Sequence, residues 1–194
     1  MPVAIGTAEN TFTNPIGLLS DCHRRIERFL QALLTVATQV EGGHLDAQHR
    51  SALDAALKYF RQAAPRHTAD EEEDLFPMLR QLARPGISKI LADVDRLEGE
   101  HKTAEAWHRE VEDISDRWLH QDHLPAQEAA HLKGLLTSLS DLYRSHIAME
   151  EQEVFPVAQA ELSASAKQAI GRHMASRRGV PFIPDWVALS HPER

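Results

Sequence analysis

The chain has one cysteine, no long apolar run and no excess of positive charge. A single cysteine, Cys22, in 194 residues excludes a framework of internal disulfides. Charged residues interrupt every apolar stretch within a few positions, so no segment is predicted to span a membrane. A net charge of −8 argues against a broad nucleic-acid-binding surface. Because the first residues also lack the basic and apolar regions of a secretory signal, we expect a cytoplasmic protein that binds neither membranes nor nucleic acids.

The sequence also lacks the alternating pattern of β-strands. Four long segments instead carry apolar residues at steps of three and four, the period of helices that bury one face. Short connections between such helices predict the all-α class, as an antiparallel up-down four-helix bundle. We expect a loose N-terminal arm over residues 1–13, the bundle over 14–160, and a short C-terminal helix with an extended tail over 161–194.

Two segments nearly repeat each other. Each reads His, three residues, Glu-Glu, two residues, an aliphatic residue, Phe and Pro, starting at His67 and at His146. Residues four apart lie on one face of a helix, so each segment offers an imidazole and a carboxylate, from Glu71 or Glu150, to the same point. One such pair is a weak signal, but two of them in one chain predict a metal site between helices.

Two further histidines repeat with the same period. His23 precedes His67 by 44 residues (67 − 23), and His101 precedes His146 by 45 (146 − 101). All four occupy core-facing positions where aliphatic residues are expected, and burying unpartnered polar groups is costly. The array therefore predicts a pseudo-twofold bundle with polar ligands on every helix.

Four imidazoles and two carboxylates are enough for two metal ions. If Glu71 and Glu150 both bridge, each ion receives two histidine nitrogens and two carboxylate oxygens. Open positions then remain for an oxo or hydroxo bridge and for a small ligand such as dioxygen. Nitrogen and oxygen ligands without thiolate suit iron, manganese or zinc.

Taken in order, these residues resemble the haemerythrin-like, or HHE cation-binding, family. The resemblance rests on a histidine in helices one and three and on His-x3-Glu in helices two and four, with the Phe-Pro end in helix two. It covers about residues 14–160. It implies a centre of two non-haem iron ions in a four-helix bundle that binds oxygen or senses oxygen, nitric oxide, iron or redox state.

Two positions depart from the oxygen carriers of that family. The carriers have a second histidine one turn after the histidine of helix three, where this chain has Glu105. Their fourth helix carries His-x4-Asp, where this chain has His146-x3-Glu150. The chain therefore resembles the bacterial and regulatory branch. We count Glu105 as a candidate metal ligand. The alternative is a solvated residue at the edge of the apolar face of its helix.

We expect a metal-binding or sensor protein for oxygen, nitric oxide, redox or iron state, and not an enzyme. The expected cofactor is a pair of iron ions, and the expected partner is a small diatomic ligand such as O2 or NO. A homodimer or a regulatory protein partner is a further expectation. The alternatives are a di-iron oxidase, peroxidase or nitric oxide reductase, a zinc-binding regulatory bundle, and a bundle whose buried polar residues bond only to one another.

Overall fold

In a computed structural model, residues 10–83 and 85–184 of the chain are described. All regular elements in this part of the chain are helical, which confirms the predicted class. The α-helices are α1 (Pro15–Val40), α2 (Ala47–Gln62), α3 (Ala64–Asp70), α4 (Phe76–Arg80), α5 (Ile87–Gln121), α6 (Ala126–Met149), α7 (Phe155–Glu161) and α8 (Ala164–Arg177). Two π-helical turns, Glu71–Leu75 and Glu150–Val154, join α3 to α4 and α6 to α7.

Local sequence sets the starts and ends of these helices. The side chain of Asn14 accepts a hydrogen bond from the backbone of Gly17 at 3.3 Å, directly before a proline at the first helical position. Ser163 caps α8 in the same way, as its position in the sequence predicted. Ala63, which separates α2 from α3 before Pro65, keeps right-handed helical angles. The proline therefore causes a kink within one continuous limb.

Two buried apolar clusters show how the four limbs run. Going along α1, the chain leaves a cluster that contains Leu19 and enters a second cluster at Ile26. The limb from α2 to α4 passes between the same clusters in the opposite direction, α5 repeats the first direction, and the limb from α6 to α7 repeats the second. The bundle is therefore up-down-up-down, and a polar level lies between its two apolar ends.

The C-terminal helix α8 packs against α1 and α3 at one end of the bundle. The expected N-terminal arm is described only from Asn10, whose backbone N–H donates to Asp21 of α1 at 2.9 Å. Residues 180–184, at the start of the expected tail, have no regular structure. The rest of the arm (1–9) and of the tail (185–194) lies outside the described residues, and the three-part division stays a prediction. Across the described residues, no helix has both the length and the apolar character needed to cross a membrane.

Candidate metal centre

Six of the seven predicted ligands meet at the polar level between the two apolar clusters. Each is buried, although imidazole and carboxylate groups normally favour water. Their nitrogen and oxygen atoms form two overlapping groups that share one carboxylate. The first group is His23, His67, Glu71 and Glu150, and the second is His101, His146 and Glu150.

The carboxylate of Glu71 faces both halves of the site. Its Oε1 lies 3.3 Å from Nε2 of His67, and its Oε2 lies 3.4 Å from Nε2 of His101. Glu71 ends the helix that carries His67, whereas His101 belongs to α5. One carboxylate therefore links histidines from two limbs of the bundle.

The carboxylate of Glu150 has the equivalent position in the other half of the repeat. Its Oε2 lies 3.0 Å from Nε2 of His23, and its Oε1 lies 3.4 Å from Nε2 of His146. Two ligand atoms that bind one ion at right angles, each about 2.1 Å from it, are about 3.0 Å apart. The observed separations therefore fit metal binding, in which these imidazoles and carboxylates would be the ligands.

Several buried atoms of this group have no hydrogen-bond partner. They include both carboxylate oxygens of Glu71, both of Glu150, and Nε2 of His23. A buried acceptor without a donor costs several kcal/mol in an apolar surrounding. Cations at the centre of the group would satisfy all of these atoms together, so the residues fit bound metal.

The outer nitrogens of three histidines bond to carboxylates from outside the group. Nδ1 of His23 lies 3.0 Å from Glu151, and Nδ1 of His101 lies 2.9 Å from Glu72. Nδ1 of His146 lies 3.0 Å from Glu100. At each of these contacts the carboxylate accepts a hydrogen bond from the Nδ1–H of the imidazole. This bond fixes the orientation of the ring and leaves Nε2 free to bind a metal.

The inner nitrogens of His101 and His146 lie 3.1 Å apart. Because both rings donate through Nδ1, two neutral imidazoles would point their Nε2 lone pairs at each other across this distance. Two facing lone pairs repel unless a cation, either a proton or a metal ion, lies beside them. A proton shared between the rings and a metal ion bound to both would each remove this repulsion, so the pair fits a metal centre.

The pKa values reflect a buried cluster of bases that compete for protons. Burial, together with the neighbouring Glu150, raises the pKa of Glu71 to about 8. Burial opposes ionisation of Glu150 too, but the close imidazoles of His146 and His23, which attract its negative charge when protonated, outweigh burial and lower the pKa of Glu150. Burial lowers the pKa of His67 well below its usual value. Metal binding must therefore displace protons from this cluster.

The phenylalanine of each repeated segment packs on a histidine of a neighbouring limb. The ring of Phe155 stacks on His23, with centroids 5.3 Å apart and 10° between the planes. Phe76 stacks on His101 with the same angle at 6.2 Å. The Phe-Pro end of each repeat therefore helps to hold the imidazole that the opposite half contributes.

The structure does not bring Glu105 into either group. Its side chain is exposed on α5, and it lines an open cavity of about 530 Å³ beside the site. The physical reason is the helix period, because Ala104 takes the core-facing position one residue earlier. Its role as a ligand stays a prediction that neither group supports.

The cavity beside Glu105 leads inward to the candidate ligands. It shares Ala64, Thr68, His101 and Tyr143 with a small enclosed cavity against the four histidines, which has room for about one water-sized molecule. The hydroxyl of Tyr143 lies 3.0 Å from Nε2 of His108 at the junction. A small molecule in the open cavity would therefore lie beside this pair.

Three carboxylates with direct contacts to the site were not predicted as part of it. Glu72 and Glu151 directly follow the candidate carboxylate ligands and point about 100° away from them on a helix, which predicts solvated residues or outer contacts, and no pattern marks Glu100. All three act across helices, so their partners depend on the packing of the bundle. The one signal in the sequence is that Glu72 and Glu151 occupy the same place in the repeated segment.

The fold and the site thus define a four-helix bundle with a candidate metal centre between its helices. Residues 14–158 match the family described as "Hemerythrin HHE cation binding domain". A protein of Haemophilus influenzae, whose name, "Uncharacterized protein", states no function, is 30% identical over 171 residues, which is 88% of this chain and 93% of the relative. The chain belongs to the haemerythrin HHE cation-binding domain family, as its sequence motifs predicted.

Proposed function

We propose that the chain binds two iron ions between its four limbs and that the loaded centre binds or senses a small oxidant such as O2 or NO. The observation that carries this proposal is the pair of facing inner nitrogens, His101 Nε2 and His146 Nε2, 3.1 Å apart with both outer nitrogens bonded to carboxylates. Iron bound there would supply one-electron redox chemistry and open coordination positions for a small ligand.

The residues around the group suit a small ligand. The enclosed cavity is lined by the four histidines, by Ile26, Ala64 and Ile147, and by Thr68 and Tyr143, so it is apolar apart from the ligands and two hydroxyl groups. Such a wall excludes bulk water and favours a small uncharged molecule over a hydrated ion. The chain's own contribution is to hold the ions, to orient the imidazoles and to limit what reaches them.

The test starts from protein without metal, to which ferrous iron is added in the absence of oxygen. We expect two irons per chain, and visible absorption bands that appear on exposure to O2 or NO and disappear on reduction. Stoichiometric zinc or manganese from cells, with no response of iron-loaded protein to either gas, would instead support a regulatory metal-binding bundle. A folded protein that binds no metal would contradict the proposal.

A second candidate function is an oxidase or peroxidase that takes an organic co-substrate. The supporting observation is the cavity of about 530 Å³, which is far larger than a diatomic molecule requires and reaches His101. Multiple turnovers of peroxide with an aromatic reductant would favour the enzyme, whereas a single reversible spectral change would favour the sensor. Cytoplasmic location, and a homodimer or regulatory protein as partner, stay predictions from the sequence.

A further inference from the structure

The two halves of the centre differ at one outer contact. Three of the four histidines bond through Nδ1 to a carboxylate, but Nδ1 of His67 is buried without any hydrogen-bond partner. An imidazole that binds metal through Nε2 carries its proton on Nδ1, and a buried N–H without an acceptor is costly. His67 is therefore the weakest of the four imidazole ligands.

The internal repeat explains this difference. His23 and His101 are equivalent positions 78 residues apart (101 − 23), so the residue before each is also equivalent. In one half that residue is Glu100, which bonds to His146 at 3.0 Å. In the other half it is Cys22, whose Sγ is 3.7 Å from the guanidinium of Arg25. The repeat therefore predicts a carboxylate beside His67, but the chain has the thiol of Cys22 at that position, and this thiol contacts Arg25.

We infer that the two ion positions are not equivalent: the position between His101 and His146 retains its ion, and the position between His23 and His67 exchanges its ion more readily. This inference rests on the proposed binding of two ions, and it concerns how the occupancy of that site responds to metal supply. Loss of one outer-sphere partner typically weakens metal binding by about 10- to 100-fold. At limiting metal, the chain would therefore hold one ion, and its second position would report how much metal is available.

The experiment counts bound zinc per chain by native mass spectrometry while Zn2+ is added to the metal-free full chain and then removed with a chelator. Zinc is used because it is redox-silent and keeps the chain in one state. We expect a one-ion form to dominate at one equivalent of Zn2+ and two distinct phases of release. Repulsion between two cations would produce stepwise binding even in a symmetric centre, so the order of filling must be assigned to a position.

Two single-ligand variants make that assignment. His67→Ala should keep one ion with nearly the affinity of the tighter wild-type step. His146→Ala should keep one ion that binds about 10- to 100-fold more weakly than the ion kept by His67→Ala. Anomalous X-ray diffraction from crystals with one equivalent of zinc should place the ion beside His101 and His146. An ion beside His23 and His67, or equal affinity in the two variants, would overturn the inference.

Variants at Glu100 test the outer contact without removing a ligand. Glu100→Ala should weaken zinc binding at the position between His101 and His146, so the affinities of the two binding steps should become more similar. Glu100→Gln still offers an oxygen to Nδ1 and should restore most of the difference in affinity. Glu98→Ala, on the same helix and paired with Arg80 at the surface, is the matched control. If wild-type protein binds no zinc or iron, the proposed function fails as well. Two ions in wild type with no effect of Glu100→Ala would overturn only the inequality of the positions.

Discussion

The backbone N–H of Phe76 bonds to the carbonyl oxygen of Glu71, five residues earlier. A regular α-helix joins residues four apart, so the limb holds one extra residue directly after its candidate ligand. The next residue, Pro77, has no N–H, and its ring would clash with a carbonyl four residues back. Phe155, Glu150 and a following proline repeat the arrangement in the other half. The extra residue turns each phenylalanine ring onto a histidine of the neighbouring limb.

Deletion of Gln152 should remove one π-helical turn. Gln152 is exposed within that turn, so its side chain is not needed for the core. The carbonyl oxygen of Glu150 then accepts from the N–H of Phe155 across four residues instead of five, as in a regular α-helix, so Val154 and Phe155 keep their places in the apolar cluster. We expect the variant to keep most of its thermal stability but to bind less metal, because the backbone that carries Glu150 changes its path, measured by circular dichroism and metal analysis. Gln152→Ala keeps the turn and serves as the control. A large loss of thermal stability, or full metal content in the deletion variant, would contradict this account of the turn.

Loss of a ligand should remove metal and its stabilising effect together. In wild-type protein, added metal should raise the melting temperature, because it binds the folded chain more tightly than the unfolded chain. His67→Ala and Glu150→Ala should show a smaller rise and a lower metal content. His131→Ala removes a histidine that pairs with Glu110 at the surface, so it should behave like wild type. Full metal content in either ligand variant would show that the site has been placed wrongly.

The grouping of the candidate ligands could be predicted because helix geometry makes it local. His67 and Glu71 share a face four residues apart, and the repeat at His146 and Glu150 identifies the pair as more than chance. The aliphatic stripes likewise predicted four antiparallel limbs. Glu105 shows the limit of the same reasoning, because a residue outside the buried face of a helix can lie only one position from a residue on that face.

The rest of the site depends on how the helices pack. Glu100 bonds to His146 on a different helix, and no local pattern at Glu100 indicates that contact. The π-helical turns were not predicted either, because a histidine and a glutamate four residues apart indicate a regular helix. His108 of α5 and Tyr143 of α6 bond to each other at 3.0 Å, a contact that also depends on packing between helices.

The C-terminal helix should stabilise the turn that carries Glu71. Arg177 bonds to Asp70 at 2.9 Å and to Asp74 at 2.6 Å, one before and one within the π-helical turn. Both carboxylates are buried and each keeps a second partner, so losing the charged bonds of Arg177 should cost about 2 kcal/mol. We expect Arg177→Ala to lower the free energy of unfolding of metal-free protein by about that amount, measured in urea, and to weaken metal binding.

The control for this prediction is a pair at the surface. Arg144 and Asp141 are largely exposed to solvent, so Arg144→Ala should leave stability unchanged within error. A double-mutant cycle of Arg177→Ala with Asp70→Asn would measure the coupling between the two residues. Equal effects of Arg177→Ala and Arg144→Ala would argue against a special role for α8 in bracing the site.

His108 should make the metal-free protein sensitive to acid. Burial lowers the pKa of His108 from 6.5 to about 4. Between these values the unfolded chain binds more protons than the folded chain, so the free energy of unfolding falls as the pH is lowered. This contribution is complete above pH 6.5 and is lost as the pH falls to about 4, and the 2.5-unit difference (6.5 − 4) corresponds to about 3 kcal/mol.

The variant that isolates this contribution is His108→Gln, since its amide oxygen can still accept from the hydroxyl of Tyr143. Its free energy of unfolding, measured in urea at several pH values, should fall less steeply below pH 6.5 than that of wild type. The other buried histidines titrate in both proteins and cancel in the comparison. His131→Gln, at an exposed position, should follow the wild-type curve. Parallel curves for His108→Gln and wild type would mean that His108 is protonated in the folded state.

Ala64 should control how fast a small ligand reaches the centre. It lines both the open cavity and the enclosed cavity, so a larger side chain there would narrow the passage between them. We expect Ala64→Phe to keep its metal but to bind azide several-fold more slowly after iron loading, measured by stopped-flow absorption. Ala55→Phe, at an exposed position earlier in the same limb, should bind azide at the wild-type rate. Because azide is small, an unchanged rate in Ala64→Phe would mean that ligands reach the histidines by another path.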